Sequence, residues 1–211
     1  MKFNIIMTKK LLITLVITVM AQATSFAQLP KQAEDISPLL YGEKIPDGVL
    51  TTPNGEDHQV SAIIEKKPTV LLVYRGGWCP YCNAHLAEIQ KAESKILELG
   101  YQLVAVSPDA PEKLKTTDDK HQLHYSLYSD TRGDFLKALG LAFKAPAKYS
   151  KMLRDRSNEK NQGFLPVPAV FVVDTSGTIL FEYINPDYST RISANLLLAV
   201  LKQLKNKDKA D

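Results

Sequence analysis

The sequence predicts an α/β fold in which helices cover both faces of a mixed central sheet, followed by a C-terminal β-hairpin and a helix. Short apolar runs rich in β-branched residues alternate with segments of helical periodicity. Two of these runs have only apolar residues at their centre, which is typical of strands buried on both faces: residues 69–74 (TVLLVY) and 102–107 (QLVAVS). Residues 169–184 (AVFVVDTSGTILFEYI) predict two antiparallel strands around a Thr-Ser-Gly turn.

The remaining elements follow from periodicity and from the residues that start or stop a helix. A long helix is expected from about Cys79 to Leu99, where Gly100 ends the apolar pattern. Pro111 begins a second helix that ends near His121. Residues 125–130 predict a strand and residues 133–141 a turn and a helix. The closing helix is expected from about Arg191 to Leu204.

The first 27 residues have the layout of a secretory signal peptide. Three lysines precede an apolar run at residues 11–20, and residues 25–27 (SFA) form a small-x-small cleavage signal. The alternative, a membrane anchor, needs about 20 apolar residues, twice the length of this run. We therefore expect an exported protein, periplasmic or otherwise extracytoplasmic, with no stable membrane insertion after cleavage.

The rest of the chain is long enough for a single domain. We expect an N-terminal segment at residues 28–41 that is partly disordered, one domain at 42–205, and a charged tail at 206–211. Residues 143–163 are basic and mixed, and we expect them to form an insertion packed against this domain. The leader removes three of the 26 basic residues, which leaves 23 against 23 acidic ones. A neutral mature chain is a poor polyanion binder, so nucleic acid is not an expected partner.

Both cysteines lie in one segment, WCPYC, residues 78–82. A structural zinc site needs four ligands, and none of the four histidines has a usual spacing relative to Cys79 and Cys82. A purely structural disulfide is unfavourable because so short a loop removes little unfolded-state entropy. Redox chemistry carried by the two thiols, without a cofactor or metal, is the expectation; a pair of inert buried cysteines is its alternative.

The start of the predicted helix suggests which thiol is the nucleophile. Pro80 suits the first helical position, which places Cys79 at the N-cap. There the free N–H groups of Tyr81 and Cys82 and the helix dipole favour a thiolate on Cys79. Cys82, one turn inside, is then placed to resolve a mixed disulfide.

The order of strand, WCPYC, helix and later PVPAVFVVDTSGTI resembles the thioredoxin fold. Within that fold, VAVSPDAPEKL and YSLYSDTRGDFLKALGLAF resemble the alkyl hydroperoxide reductase/thiol-specific antioxidant (AhpC/TSA, peroxiredoxin-like) family. The resemblance spans about Gly42 to Leu204. It implies that Pro168 takes the place of the cis-proline that faces the cysteine pair, with Pro166 as the neighbouring alternative.

The segment departs from the peroxidase pattern of that family. Counted back from Cys82, the positions of the family's proline and threonine hold Arg75 and Cys79, and the family's arginine falls near Pro168. The resemblance would make Cys82 the sulfur that attacks peroxide, whereas the helix start favours Cys79. We expect Cys79 to attack protein disulfides and Cys82 to attack peroxides.

Several neighbouring residues have a functional and a structural interpretation. Arg75 either stabilises a thiolate and orients a peroxide oxygen or is a solvated charge at a strand end. Trp78 and Tyr81 either form an apolar rim that receives a partner or simply pack. His85 and Glu88 are expected at the surface, and Asp174 in the hairpin turn, outside the chemistry.

Three functions remain open at this point. The first is an exported antioxidant oxidoreductase that reduces hydroperoxides through a Cys79/Cys82 dithiol–disulfide cycle. The second is a thiol:disulfide oxidoreductase acting on protein disulfides outside the cytoplasm. The third is a non-catalytic thiol or zinc-binding module. Either enzyme needs an external dithiol electron donor, which the resemblance implies.

Overall fold

The computed structural model describes residues 28–121 and 125–207, with side chains described up to 117 and from 125 to 206. The strands are β1 (Val49–Thr51), β2 (Asp57–Gln59), β3 (Thr69–Val73), β4 (Gln102–Ser107), β5 (Ser126–Ser129), β6 (Ala142–Lys144), β7 (Phe164–Pro166), β8 (Ala169–Val173) and β9 (Ile179–Ile184). The helices are α1 (Val60–Ile64), α2 (Pro80–Glu98), α3 (Pro111–His121), α4 (Asp134–Ala138), α5 (Ser150–Ser157) and α6 (Ala194–Lys207), with short 3-10 helices at Ala33–Asp35 and Ala147–Tyr149. The predicted leader and the last four residues lie outside the described chain.

Seven strands form one mixed sheet with the order β2-β1-β5-β4-β3-β8-β9. The central strands β5, β4 and β3 are parallel, and β8 pairs antiparallel with β3 and then with β9. The hairpin predicted at residues 169–184 is therefore confirmed, and it completes one side of the sheet. The other side, formed by β1 and β2, was not predicted because these strands have three residues each and no apolar run.

Alternation along β3 divides the core into two layers. Val70 and Leu72 face a cluster that contains side chains of α2 and α6, whereas Leu71 and Val73 face a cluster with side chains of α1 and α4. All five residues of β3 are buried, as expected for a strand covered on both faces. The predicted architecture of a mixed sheet between helical layers is thus confirmed.

The segment at residues 28–41 is more ordered than we expected. Leu29, Ile36 and Leu39 pack against the second core cluster. The N–H of Leu39 donates to the Leu139 carbonyl at 3.2 Å, and the N–H of Lys144 donates to the Pro30 carbonyl at 2.8 Å. Partial burial of these apolar side chains helps to offset the entropy cost of ordering the segment.

The segment at residues 143–163, expected to be an insertion, contributes the end of β6, α5 and their connections. It packs against the end of β4, where the N–H of Ala110 donates to the Arg156 carbonyl at 2.8 Å.

None of the helices in the described chain is long and apolar enough to cross a membrane.

Candidate active site

The two cysteines lie where β3 passes into α2. Cys79 is the N-cap of the helix, with φ −87° and ψ 116°, and Pro80 occupies the first turn. The N–H of Cys79 donates to the Gly76 carbonyl at 3.1 Å, and the N–H of Asn83 donates to the Cys79 carbonyl at 3.0 Å. The predicted helix start is confirmed, so the first and second thiols are separated by about one helical turn.

An ion pair with a buried carboxylate supports the loop that precedes the cysteines. The Asp109 carboxylate, at the carboxyl end of β4, accepts the N–H of Gly77 at 2.8 Å and pairs with the Arg156 guanidinium of α5. The Asn83 side-chain amide donates to the Gly77 carbonyl at 2.9 Å. A Cβ at Gly77 would lie 2.0 Å from the Thr117 hydroxyl, so any larger residue here would force Thr117 to move. Because β3 and β4 are parallel, their carboxyl ends meet, and this placement of Asp109 could have been anticipated.

The two thiols have opposite electrostatic character. The Cys82 thiol donates to Cys79 and is the main cause that lowers the Cys79 pKa to about 6, with smaller contributions from the Cys82 N–H, Arg75 and Arg191. The same hydrogen bond, followed by burial and the Cys79 charge, raises the pKa of Cys82 well above its ordinary value. Cys79 is therefore the thiolate of the pair at neutral pH, and Cys82 is the proton donor. One expectation is corrected. The Cys79 side chain does not form a capping hydrogen bond with the first turn of the helix, and the Cys82 N–H lowers the Cys79 pKa less than the Cys82 thiol does.

Arg75 is a buried cation. Its side chain is only 4% exposed, so the interpretation as a solvated strand-end charge is wrong. The guanidinium carbon lies 5.0 Å from the ring centroid of Trp78, 5.2 Å from that of Tyr149 and 4.1 Å from that of Tyr188. Within the described chain, its Nε has no hydrogen-bond partner. Three aromatic faces thus hold a positive charge that lowers the Cys79 pKa.

Arg191 is a site residue that the sequence did not reveal. Its Nη2 lies 3.6 Å from the Cys82 sulfur, although the two residues are 109 positions apart. Arg191 precedes α6, and no local motif marks it. Tyr188 and Tyr149, which pack on Arg75, were missed for the same reason.

The peptide bond before Pro168 differs from the expectation. Ala169 pairs with Val73, so Pro168 comes directly before the strand that neighbours the end of β3. There are no cis peptide bonds among the described residues, so the Val167–Pro168 bond is trans and the expected cis form is wrong. Val167 follows the extended strand β7 and donates its N–H to the Leu141 carbonyl at 2.9 Å, a geometry that suits the ordinary trans isomer.

The surface beside the cysteines carries aromatic rings. Tyr81 is 49% exposed and Tyr188 42% exposed, and their rings meet edge to face at 5.8 Å. Trp78 is partly buried and packs against the core cluster that holds both cysteines. Tyr81 therefore contributes to a rim, whereas Trp78 contributes mainly to packing around Arg75.

Of the two residues expected at the surface, Glu88 is exposed as expected, whereas His85 is not. His85 is buried, and burial, followed by the charge of Arg191, lowers its pKa to about 4, so the imidazole is neutral at pH 7. The Glu88 carboxylate accepts the N–H of Ala194 at 2.7 Å and so ties α6 to α2. Asp174 does lie in the hairpin turn, where its carboxylate accepts the N–H of Thr178 at 2.9 Å.

A pocket of about 490 Å³ opens beside this site. Arg75, Tyr149, Pro168 and Tyr188 line it, together with apolar side chains such as Phe143. It therefore combines a buried cation with a largely apolar wall. In the described part of the chain, no three Cys, His, Asp or Glu side chains cluster as metal ligands.

Comparison with known proteins assigns the chain to a family. Residues 41–181 match the model of the AhpC/TSA family. The chain belongs to the AhpC/TSA family. A peroxiredoxin of Methanococcus vannielii is 30% identical over 148 residues, which cover 66% of this chain and 60% of that protein. Peroxiredoxin bcp1 of Schizosaccharomyces pombe is 29% identical over 115 residues, covering 53% of this chain and 59% of that protein.

Solved structures share the fold of this AhpC/TSA protein. Reduced Prx3 of Vibrio vulnificus in complex with H2O2 aligns with a TM-score of 0.67 at 19% identity, covering 77% of this chain and 99% of that one. Peroxidoxin BcpB of Mycobacterium tuberculosis aligns with a TM-score of 0.63 at 19% identity, covering 78% and 97%. The predicted thioredoxin-like fold is confirmed, and the family makes the chain a peroxiredoxin-like oxidoreductase.

Proposed function

We propose that this AhpC/TSA protein is an exported peroxidase that reduces hydroperoxides through a Cys79/Cys82 dithiol–disulfide cycle. Cys79 is the attacking sulfur and Cys82 the resolving one. The observation that carries the proposal is the opposite shift of the two thiol pKa values, with Cys79 lowered to about 6 and Cys82 raised. Only a thiolate attacks the O–O bond, so the asymmetry separates the two roles.

The oxidation of the two thiols proceeds in two steps, and a third step reduces them again. In the first, the Cys79 thiolate bonds to the terminal peroxide oxygen, the O–O bond breaks, and the leaving alkoxide or hydroxide takes a proton. Sulfur loses two electrons and becomes a sulfenic acid. In the second, Cys82 attacks this sulfur, a disulfide forms, and water leaves. An external dithiol then reduces the disulfide and restores both thiols.

Burial of the sulfurs favours a small substrate. Cys79 is 1% exposed and Cys82 is fully buried. A folded protein disulfide must bring its own sulfur in line with the nucleophile, which needs an open surface, whereas a hydroperoxide needs much less space. Arg75 lines the pocket and its charge lowers the Cys79 pKa, so in this proposal its guanidinium orients the peroxide oxygen while the apolar wall accommodates an organic part.

One observation supports thiol–disulfide exchange on proteins as the second candidate. Tyr81 and Tyr188 present exposed rings beside the cysteines, and such rings are typical of surfaces that receive a partner chain. In this alternative Cys79 attacks a protein disulfide and Cys82 resolves the mixed disulfide.

Stopped-flow kinetics distinguish the two candidates. The reduced protein is mixed with hydrogen peroxide, with an organic hydroperoxide and with a mixed-disulfide peptide, and the fluorescence of the single tryptophan is followed. We expect both peroxides to react faster than the peptide by at least about 100-fold. A faster reaction with the peptide would contradict the peroxidase assignment and favour exchange.

Export is part of the proposal and rests on the layout of residues 1–27. Mass spectrometry of the protein recovered from bacterial cells that produce the full chain gives the N-terminus directly. We expect a mature chain that begins at Gln28 in the extracytoplasmic fraction. A cytoplasmic protein that retains residues 1–27 would contradict export without affecting the chemistry at Cys79.

A further inference from the structure

The contact between Arg191 and Cys82 joins two distant parts of the chain at the resolving sulfur. The Arg191 Nη2 atom lies 3.6 Å from Cys82 Sγ, within reach of a hydrogen bond to sulfur. No carboxylate in the described part of the chain forms an ion pair with Arg191. The Asp187 carboxylate interacts with the Arg191 charge from a longer distance, and Cys82 Sγ is the side-chain atom that the guanidinium contacts through a hydrogen bond.

The loop between β9 and α6 holds Arg191 in place from its N-terminal side. The Asp187 carboxylate accepts the N–H of Ser189 at 2.9 Å and the hydroxyl of Thr190 at 2.9 Å. The Arg191 Nη1 atom donates to the Thr190 carbonyl at 2.9 Å. These short-range bonds define a compact turn directly before the guanidinium.

The residues that follow Arg191 anchor it to the cysteine helix. Ile192 is 1% exposed and belongs to the same core cluster as Cys82. Two residues later, the N–H of Ala194 donates to Glu88 of α2 at 2.7 Å. Arg191 is thus fixed on both sides relative to the helix that carries Cys82.

In the second step of the cycle, attack by Cys82 on oxidised Cys79, a positive charge beside the Cys82 sulfur would favour the reaction. In the reduced protein Cys82 is a buried proton donor to Cys79 and is not nucleophilic. Once Cys79 is oxidised, its negative charge is gone, and Cys82 must itself become a thiolate in order to attack. The groups that favour a Cys82 thiolate are then the backbone N–H of Arg75 and, after it, the Arg191 guanidinium.

We propose that Arg191 is a catalytic residue of the resolving step, in which its guanidinium stabilises the Cys82 thiolate that attacks oxidised Cys79. The Cys82 thiol loses its proton, the sulfur–sulfur bond forms, the sulfur–oxygen bond of the sulfenic acid breaks, and the departing hydroxide takes the proton to leave as water. The two site cations then have separate tasks, Arg75 beside the attacking sulfur and Arg191 on the resolving one. This inference rests on the proposed roles of Cys79 and Cys82.

The resolving step can be measured without peroxide. When the reduced protein reacts with excess 5,5′-dithiobis(2-nitrobenzoate), attack by Cys79 releases one thionitrobenzoate and leaves a mixed disulfide. Attack by Cys82 on the Cys79 sulfur then releases the second thionitrobenzoate and closes the Cys79–Cys82 disulfide. Stopped-flow absorbance separates the two releases as two phases. The same variants are followed with hydrogen peroxide in single turnovers, with a sulfenic acid probe and mass spectrometry.

We expect Arg191→Gln to slow the second phase by at least about 10-fold, because a hydrogen bond to a charged group is lost. The first phase should change by less than about threefold, since Arg191 is the last of the causes that lower the Cys79 pKa. Arg191→Lys should recover part of the rate because it keeps the charge. Arg132→Gln, at a cation 75% exposed on another surface, serves as the control and should leave both phases unchanged.

A second phase in Arg191→Gln as fast as in the natural protein, or an equal slowing of both phases, would overturn the proposal. Thermal unfolding of each variant confirms that it is folded under the assay conditions, so that a change in either phase reports on the site. If peroxide does not oxidise the natural protein while the second phase still depends on Arg191, the peroxidase function fails and the role of Arg191 stands.

Discussion

Replacement of Cys82 by alanine tests the charge asymmetry at the site. The Cys82 thiol is the largest cause that lowers the Cys79 pKa from 9.0 to about 6. Cys82→Ala removes this donor and leaves the backbone N–H, Arg75 and Arg191 in place. We therefore expect the Cys79 pKa to rise most of the way towards its ordinary value.

The size of the effect follows from the two pKa values. At pH 7 a thiol with a pKa of about 6 is roughly nine-tenths thiolate, whereas a thiol at 9.0 is about one-hundredth thiolate. Loss of the whole shift would lower the thiolate fraction about 90-fold. Because three of the causes remain, we expect the initial rate with peroxide at pH 7 to fall by about 10- to 50-fold.

The assay is the ultraviolet absorbance of the thiolate as a function of pH, together with the initial peroxide rate across the same range. Cys82→Ser provides the matched control, since its hydroxyl can still donate to the Cys79 thiolate, and it should show a smaller rise in pKa. Above about pH 9 the rates of the two variants should converge because Cys79 is then ionised in both. A Cys79 pKa that stays near 6 in Cys82→Ala would refute the reasoning, since the main cause would lie elsewhere.

Two further predictions concern stability, measured by urea unfolding. Gly77→Ala places a Cβ against the Thr117 hydroxyl and should cost about 1–3 kcal/mol, whereas Gly48→Ala meets its neighbours at an ordinary 3.7 Å and should cost less; equal costs would argue against the clash. His85 stays neutral down to about pH 4 when folded but binds a proton near 6.5 when unfolded, so its contribution to stability is lost as pH falls through that window. His85→Leu should therefore lose less stability than the natural protein between about pH 7 and pH 4.5, and an unchanged slope would contradict the burial of a neutral imidazole.

The sequence correctly predicted those features of the site that depend on residues close together in the chain. The helix start at Cys79 and Pro80 depends on the neighbouring residues and on the strand before them, and it was predicted correctly. The buried strands and the hairpin have strong patterns, and they were also found. The short strands β1 and β2 carry no such pattern and form because neighbouring strands supply hydrogen-bond partners.

The rest of the site depends on contacts between distant residues. Arg191 meets Cys82 because α6 packs on α2, and no feature of the loop sequence reveals this. His85 is buried by the same packing, although its position on the helix suggested exposure. The isomer of the bond before Pro168 is set by strands β7 and β8, and the proline alone does not determine it. Tertiary packing therefore decides which charges reach the sulfurs.

The location of the first oxidised sulfur tests the central claim most directly. Cys82→Ser and Cys79→Ser are each treated with one equivalent of hydrogen peroxide in the presence of a sulfenic acid probe, and the labelled residue is identified by mass spectrometry. We expect a labelled Cys79 in Cys82→Ser and almost no label in Cys79→Ser, because burial still raises the pKa of Cys82 when Cys79 is absent and keeps its sulfur from peroxide. A labelled Cys82 in Cys79→Ser, with Cys82→Ser unreactive, would contradict the assignment and make Cys82 the sulfur that attacks peroxide.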